Sequence, residues 1–157
     1  NIAELIVVTG AHENLIKPVV FNHSNVRIVY NKDYKLGQTS SFQAGVMVAS
    51  PKSEGFMLLP VDCPLIKSAT FNKLIDCFEK NKPAILIPTY QSKKGHPPIF
   101  HQQLKEEILN MDVQQGINAL IRTKPCQIFE IDDPGIVLSF NTQEELNTIL
   151  NKQKQSH

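Results

Sequence analysis

Asp62 stands directly after the apolar run Phe56-Met57-Leu58-Leu59-Pro60-Val61 and before Cys63-Pro64. A carboxylate leaving the carboxyl end of a buried strand is placed to hold a hard divalent cation, because Mg²⁺ takes one or two carboxylates together with phosphate oxygens. An aspartate that only closes the turn at Pro64 fits the same pattern. A second cluster, Gly37-Gln38-Thr39-Ser40-Ser41, puts a glycine and hydroxyl residues at a helix start. Free backbone N–H groups and the positive dipole end there suit an anion or a base edge, although a plain helix cap after a glycine turn is the commoner arrangement. The third cluster, Lys93-Lys94-Gly95-His96-Pro97-Pro98, could meet a phosphate or an acidic substrate, or stay a solvated loop. His96 and His101 lack zinc-site spacing. The chain carries no Gly-x-x-x-x-Gly-Lys-Ser/Thr, no Gly-x-Gly-x-x-Gly and no Gly-x-Ser-x-Gly, which removes the P-loop, dinucleotide and hydrolase-elbow readings.

The elements that must position these clusters alternate in type. Strands are expected at 5–9, 26–30 and 56–61, the last nearly all apolar, as a central parallel strand covered on both faces would be. Further strands are expected at 84–87, closed by Pro88, and at 128–131 and 136–138. Helices are expected over 11–20, with an end made ragged by Pro18, and from a cap at Thr39 or Ser40 to about Ala49, burying Phe42, Val46 and Ala49. Another starts at a Ser68 cap, with Phe71, Leu74, Ile75 and Phe78 at helical spacing, and shorter ones lie near 103–109 and 116–121. Thr142 and Glu145 form a capping box for a last helix that turns Leu146, Ile149 and Leu150 inward. Residues 91–98 read as a polar loop followed by a short apolar segment at Ile99-Phe100, and 151–157 as a polar tail that frays. Strands alternating with helices predict one α/β domain over 1–150, with a mostly parallel sheet. Ligands in such sheets sit beyond the carboxyl ends of the strands, so the loops after Thr9, Tyr30, Val61 and Pro88 are where chemistry belongs.

Composition narrows the classes. The chain has 157 residues, 41% hydrophobic and 20% charged, with net charge +1, two arginines and no tryptophan. That composition is too apolar for a disordered tail and too neutral for a dedicated nucleic-acid binder. No apolar run approaches the ~20 residues that cross a bilayer. Cys63, Cys77 and Cys126 are odd in number and far apart, against a disulfide framework or a zinc site. With no basic, then apolar, leader pattern, the expectation is a reduced, cytoplasmic protein.

Several motifs in order resemble one family. They are Val7-Val8-Thr9-Gly10-Ala11, Asn31 to Tyr34 with Gly37 and Ser40-Ser41, and Leu59-Pro60-Val61-Asp62-Cys63-Pro64-Leu65. Pro88-Thr89-Tyr90 with Gly95-His96-Pro97-Pro98-Ile99-Phe100 follows, then Asp132-Asp133-Pro134-Gly135-Ile136 with Asn141-Thr142-Gln143-Glu144-Glu145-Leu146. The chain resembles the nucleotidyltransferase family that includes molybdenum cofactor cytidylyltransferase. The resemblance implies a three-layer, mostly parallel Rossmann-like sheet of the nucleotide-diphospho-sugar transferase kind. It implies transfer of CMP or GMP from CTP or GTP to a phosphorylated acceptor such as molybdopterin, with release of pyrophosphate and with Mg²⁺ as cofactor. By the same resemblance Asp62 is the catalytic, metal-binding aspartate and Asn141 a second metal ligand. Thr9, Gly10, Gly37, Ser40 and Ser41 fall on the nucleotide side, and Gly95, His96 and Pro97 on the acceptor side. A molybdoenzyme or chaperone partner is implied too, with no nucleic acid and no membrane.

Three departures mark this chain. The family's opening strand and its Leu-Ala-Ala-Gly-x-x-x-Arg-Met loop have no counterpart, so the resemblance implies a break at Asn1, with the first strand, loop and helix lacking and a sheet edge or apolar groove left open. The family's Asp-Ile-Asp-Thr reads Ser139-Phe140-Asn141-Thr142, which keeps an oxygen ligand and removes charge. Its Gly-Asp-x-Gly-x-Arg reads Val113-Gln114-Gln115-Gly116-Ile117-Asn118, without the acid or the base. Two alternatives therefore stand beside the reading above: a non-catalytic binding or assembly relative, and a transferase acting on a sugar or alcohol phosphate.

Overall fold

The β-branched run at the start forms strand β1 (Leu5–Thr9), which pairs in parallel with β2 (Val26–Tyr30) in the register Val7 to Ile28. Helix α1 (Glu13–Val20) connects them and buries none of its side chains. The computed structural model describes residues 2–20 and 26–154. Helix α2 (Gln38–Val48) runs back against this pair: Arg27, at the start of β2, donates to the carbonyl of Val48, and Asn31, just past its end, donates to Ser40.

The main sheet contains β3 (Gly55–Met57), β4 (Ile85–Tyr90), β5 (Lys93–Lys94), β6 (Ile99–His101) and β7 (Cys126–Glu130). Strand β6 lies between β3 and β4, antiparallel to both, while β7 pairs in parallel with the other side of β4. Helix α3 (Ser68–Asn81) connects β3 to β4; α4 (Lys105–Asn110) and α5 (Ile117–Thr123) connect β6 to β7; α6 (Gln143–Lys154) ends the described chain. The two parallel ladders of five positions outweigh antiparallel ladders of three, two and two. Over the two sheets together parallel pairing thus leads, ten positions to seven, whereas within the main sheet five are parallel and seven antiparallel.

Strand alternation builds three layers, because successive side chains of a strand point to opposite faces. Ile85, Ile87, Phe100 and Phe56 pack with Phe42 and Val46 of α2, Ile108 of α4 and Leu120 of α5. Leu86 and Ile99 turn to the other face and pack with Leu74 and Phe78 of α3. Phe42 and Phe100 tie α2 to β6, their ring centroids 5.2 Å apart and tilted by 49°. Such a pair is worth about 1 kcal/mol beyond area burial. Phe42→Leu is therefore expected to lower unfolding stability by about 1 kcal/mol with the urea m-value unchanged, measured by urea titration.

Several local expectations change. Residues 136–138 are not a strand: Pro134–Val137 form a 3₁₀ turn, because Pro134 has no N–H to donate and the Asp133 side chain takes the N–H of Gly135. The run 56–61 is regular strand only through Met57 and pairs antiparallel with β6; Phe56 and Leu58 pack on one core and Met57 on the other, but the cover ends there, with Leu59 exposed. Leu58 still donates to Pro98, but Pro60 lacks a donor and Val61 is 94% exposed. Strand β4 does not stop at Pro88 but continues to Tyr90, with Pro88 accepting from Gly95 and pairing with Phe129. Within the predicted loop, Gln91 and Ser92 take positive φ and turn a two-residue hairpin, held where Glu130 accepts from the Gln91 N–H. Gly37 rather than Thr39 or Ser40 is the N-cap of α2, and Lys67 rather than Ser68 that of α3.

The capping box is present, with Thr142 accepting from Glu145 N–H and Glu145 accepting from Thr142 N–H. Leu146 and Ile149 are half-buried, and α6 continues through 151–154 instead of fraying at Asn151. The side chain of Leu150, residue Asn1 and residues 155–157 lie outside the described residues.

Candidate functional site

Direction of the strands places the chemistry-bearing loops. Strands β3, β4 and β7 run the same way, since β6 opposes both β3 and β4 and β7 parallels β4. Asp62 after β3, the Tyr90 hairpin after β4 and Asp133 after β7 therefore share one edge, and His96, which precedes the reversed β6, returns to it. This is the carboxyl edge, where open α/β sheets bind ligands.

One group forms around Asp62. Its backbone carbonyl accepts from the N–H of Phe140, which brings Asn141 to the same place. Its Oδ1 accepts from the thiol of Cys63 at 3.6 Å, and among the described residues no hydrogen bond reaches its Oδ2. Burial, with the adjacent Asp62 charge and hydrogen bond, pushes the Cys63 thiol up to about 11, so it is a neutral donor at physiological pH and inert as a nucleophile. Burial holds the His96 imidazole below its ordinary value, outweighing the Asp62 carboxylate, which raises it. Its Nδ1 is buried without a hydrogen-bond partner. The His96–Pro97 peptide is cis, Pro97 is buried, and Gly95 packs so closely that a Cβ would lie 2.5 Å from the carbonyl oxygen of Ile136.

A second group forms on the α2 side. Asn31 is buried; its amide donates to Ser40 at 2.9 Å and Ser41 at 3.1 Å and accepts from the N–H of Asp33. The Ser40 hydroxyl lies 2.8 Å from the carbonyl of Gly37 and 3.0 Å from that of Asp33. Thr9 is buried against the carbonyl of Val29 at 3.4 Å. Gly10 has Tyr34 so near that a Cβ would stand 2.4 Å from the tyrosine Cβ. Gly37, by contrast, has open space around it and φ of +96°. Thr9, Gly10 and Ser40 thus shape the loop from within, while Gly37 and the half-buried Ser41 face outward or nearly so.

Sequence reasoning assigned no part to Asp133, which is 1% exposed. Its carboxylate accepts from Thr70 Oγ1 at 2.5 Å, the N–H of Lys67 at 2.9 Å and the N–H of Gly135 at 2.9 Å. Asp-Pro-Gly signals a turn, but not that a carboxylate caps the start of a helix more than sixty residues away. Burial raises its pKa, yet these three hydrogen bonds and the Lys67 charge more than offset that and hold it below the ordinary carboxylate value. A folded-state value below the unfolded one gives stability that is present above about pH 4 and lost as pH falls through the folded-state value. Wild-type stability is expected to drop more steeply below pH 4 than that of Asp133→Asn, by up to about 1.4 kcal/mol per pH unit, read from denaturation midpoints across pH.

The donor set can be tested against a divalent cation. Asp62 offers a carboxylate oxygen free of other hydrogen bonds, and Asn141 offers an amide oxygen on an adjoining, exposed segment. Among the described residues no three His, Cys, Asp or Glu side chains form a metal cage. One carboxylate and one amide oxygen, completed by substrate phosphates, fit the way Mg²⁺ or Mn²⁺ is held in phosphoryl-transfer sites. The three cysteines are all free, and no described helix is long and apolar enough to cross a membrane.

Comparison with known proteins bears on the family and the fold. Residues 1–128 match the profile of the MobA-like NTP transferase domain. Over 147 residues the chain is 28% identical to the molybdenum cofactor cytidylyltransferase of Escherichia coli (strain K12), covering 93% of this chain and 73% of that protein. A Mycobacterium sp. strain JC1 homologue of the Mycobacterium tuberculosis protein Rv0371c superposes with a TM-score of 0.84 at 20% identity, over 99% of this chain and 77% of that one. The Mycobacterium tuberculosis H37Rv protein itself, solved as a complex with manganese, superposes with a TM-score of 0.76 at 18% identity, over 96% of this chain and 79% of that one. At these identities the structural likenesses speak for the Rossmann-like nucleotidyltransferase fold. The chain belongs to the MobA-like NTP transferase domain family and is an enzyme of the nucleotidyltransferase class.

Proposed function

We propose that this chain transfers a nucleotidyl group, CMP in preference to GMP, from a nucleoside triphosphate to the phosphate of a small acceptor such as molybdopterin. The observation that carries the reading is Asp62. It stands at the carboxyl edge with one oxygen free, beside the loops of Phe140-Asn141 and Gly95-His96-Pro97. The 28% identity to a cytidylyltransferase supports CTP and the pterin acceptor.

In the reaction, an acceptor phosphate oxygen attacks the α-phosphorus of the triphosphate, the bond to the β-phosphate oxygen breaks, and pyrophosphate departs. Asp62 and Asn141 would hold a divalent cation, Mg²⁺ or the manganese found with a structural neighbour, which when bound neutralises charge on the transferring group. Gly37 and Ser41 border the nucleotide, with Thr9, Gly10 and Ser40 supporting that loop from beneath. On the other side His96 borders the acceptor, with the buried Pro97 and the close-packed Gly95 shaping that loop from within. A neutral His96 adds no positive charge there, so it orients an acceptor group by hydrogen bonding instead of ion pairing. The rest of the protein's task is in-line positioning, which in such transfers supplies much of the rate. A cytoplasmic setting and delivery of the product to a molybdoenzyme or chaperone accord with this reading.

The test is pyrophosphate release by the full chain with CTP or GTP, Mg²⁺ or Mn²⁺, and a pterin phosphate. Release that needs the metal and the acceptor, faster with CTP, is the expected result. No release with either nucleotide sinks the proposal. Release only with a sugar or alcohol phosphate moves the acceptor to that class.

A further inference from the structure

Residues 131–140 do more than leave the sheet; they thread between the loop that carries Asp62 and the loop that carries His96. Ile131 extends the β4–β7 ladder by donating to Thr89. Asp133 then turns its carboxylate to the loop that carries Asp62, taking the N–H of Lys67 and the hydroxyl of Thr70. Gly135 lies so close to that loop that a Cβ would stand 2.2 Å from the carbonyl oxygen of Leu65. Ile136 faces the other way and accepts from the N–H of His96 at 2.8 Å. Phe140 returns to donate to the carbonyl of Asp62 at 3.2 Å. One short segment thus contacts the Asp62 loop at three residues, Asp133, Gly135 and Phe140, and the His96 loop at Ile136, and the only charged side chain buried inside it is Asp133.

We infer that Asp133 is a positioning residue for nucleotidyl transfer: by joining Lys67, Thr70 and Gly135 it sets the distance between Asp62 and the acceptor loop at His96. The inference rests on the proposed reading of Asp62 and deepens it. The carboxylate is fully engaged and buried, so it touches no substrate and acts only through the loops it ties. The nucleotide-side loop around Gly37 and Ser41 is organised separately by Asn31, so loosening Asp133 leaves it in place. The consequence is a split between kinetic constants. Partners that orient a ligating side chain are commonly worth 10- to 100-fold.

The test uses Asp133→Asn together with the milder Thr70→Val, which removes one donor and keeps the rest, so that a fold failure in the first leaves the second to decide. In the full chain, amide hydrogen exchange is followed at Phe140 and His96, whose N–H groups report the two ties, with the β1–β2 ladder as reference. Both variants are expected to lose at least tenfold of the protection at Phe140 and His96 while the β1–β2 amides stay within twofold of wild type. At saturating metal and acceptor, kcat is expected to fall 10- to 100-fold, with the nucleotide KM within threefold. Uniform loss of protection, or unchanged kcat in variants that are merely less stable, overturns the inference. If the wild type releases no pyrophosphate, the functional reading fails, and the exchange pattern alone then decides whether Asp133 ties the loops.

Discussion

Asp62→Ala is expected to lower nucleotidyl transfer by at least about a thousandfold, equivalent to about 4 kcal/mol of transition-state stabilisation, while the melting temperature stays within a few degrees of wild type. The carboxylate is half-buried, its one side-chain hydrogen bond among the described residues is a weak thiol contact at 3.6 Å, and the loop is held through its backbone carbonyl, which alanine retains. Little of the fold depends on the side chain, whereas the cation depends on it as the single carboxylate of the donor set. Asp62→Asn, which keeps the shape and removes the charge, is expected to lose most of the same activity. Steady-state pyrophosphate release beside thermal denaturation checks both statements. Activity within tenfold of wild type, or a melting temperature lower by ten degrees or more, means that Asp62 serves the turn at Pro64 instead.

Gly135→Ala is expected to be the most damaging single methyl in the molecule. A Cβ there would meet the carbonyl oxygen of Leu65 at 2.2 Å and its carbon at 2.6 Å, with Asp133 Oδ1 at 3.0 Å. The obstacle is backbone, which cannot rotate aside, so the Asp62 loop and the 3₁₀ turn must move apart. Overpacking of that kind costs about 3 kcal/mol, which lowers the melting temperature of a chain this size by about 6–12 °C. Activity should fall with it, because the displaced loop carries Asp62. Gly37→Ala is the control: nothing stands within 4 Å of its Cβ position, but its φ of +96° strains any side chain. That substitution should cost only about 1 kcal/mol. Equal melting temperatures for the two variants would show that the close approach at Gly135 is relieved by movement elsewhere.

Much of the architecture follows from local pattern. Phe42, Val46 and Ala49 are buried as their helical spacing requires, and Leu74 and Phe78 likewise. Thr142 and Glu145 cap their helix as their separation allows. The failures have local causes that a one-dimensional pattern misreads. Ile136 and Val137 are apolar and β-branched, as strands are, but Pro134 and the Asp133 side chain bend them into a turn. Ser68 has the chemistry of a cap, yet the cap residue of α3 is Lys67, whose N–H goes to a carboxylate sixty-six residues away in the chain. The tight hairpin at Gln91-Ser92 has no glycine to announce it; two residues with positive φ and the Glu130 carboxylate hold it.

The sequence by itself determined the class of fold, the motif order that marks the nucleotidyltransferase family, and the position of Asp62 beyond an apolar strand. Periodicity reports which face a residue buries, and composition reports what a loop can bind, so these were legible. Only the tertiary structure decided that β6 runs reversed between β3 and β4, which returns His96 to the edge that holds Asp62. It alone decided that β1 and β2 form a sheet of their own beside the main one, bridged by α2. It alone buried Asp133 among three donors. Strand order and distant hydrogen-bond partners depend on how elements pack across the whole chain. A carboxylate is buried only where that packing delivers enough donors to replace its water.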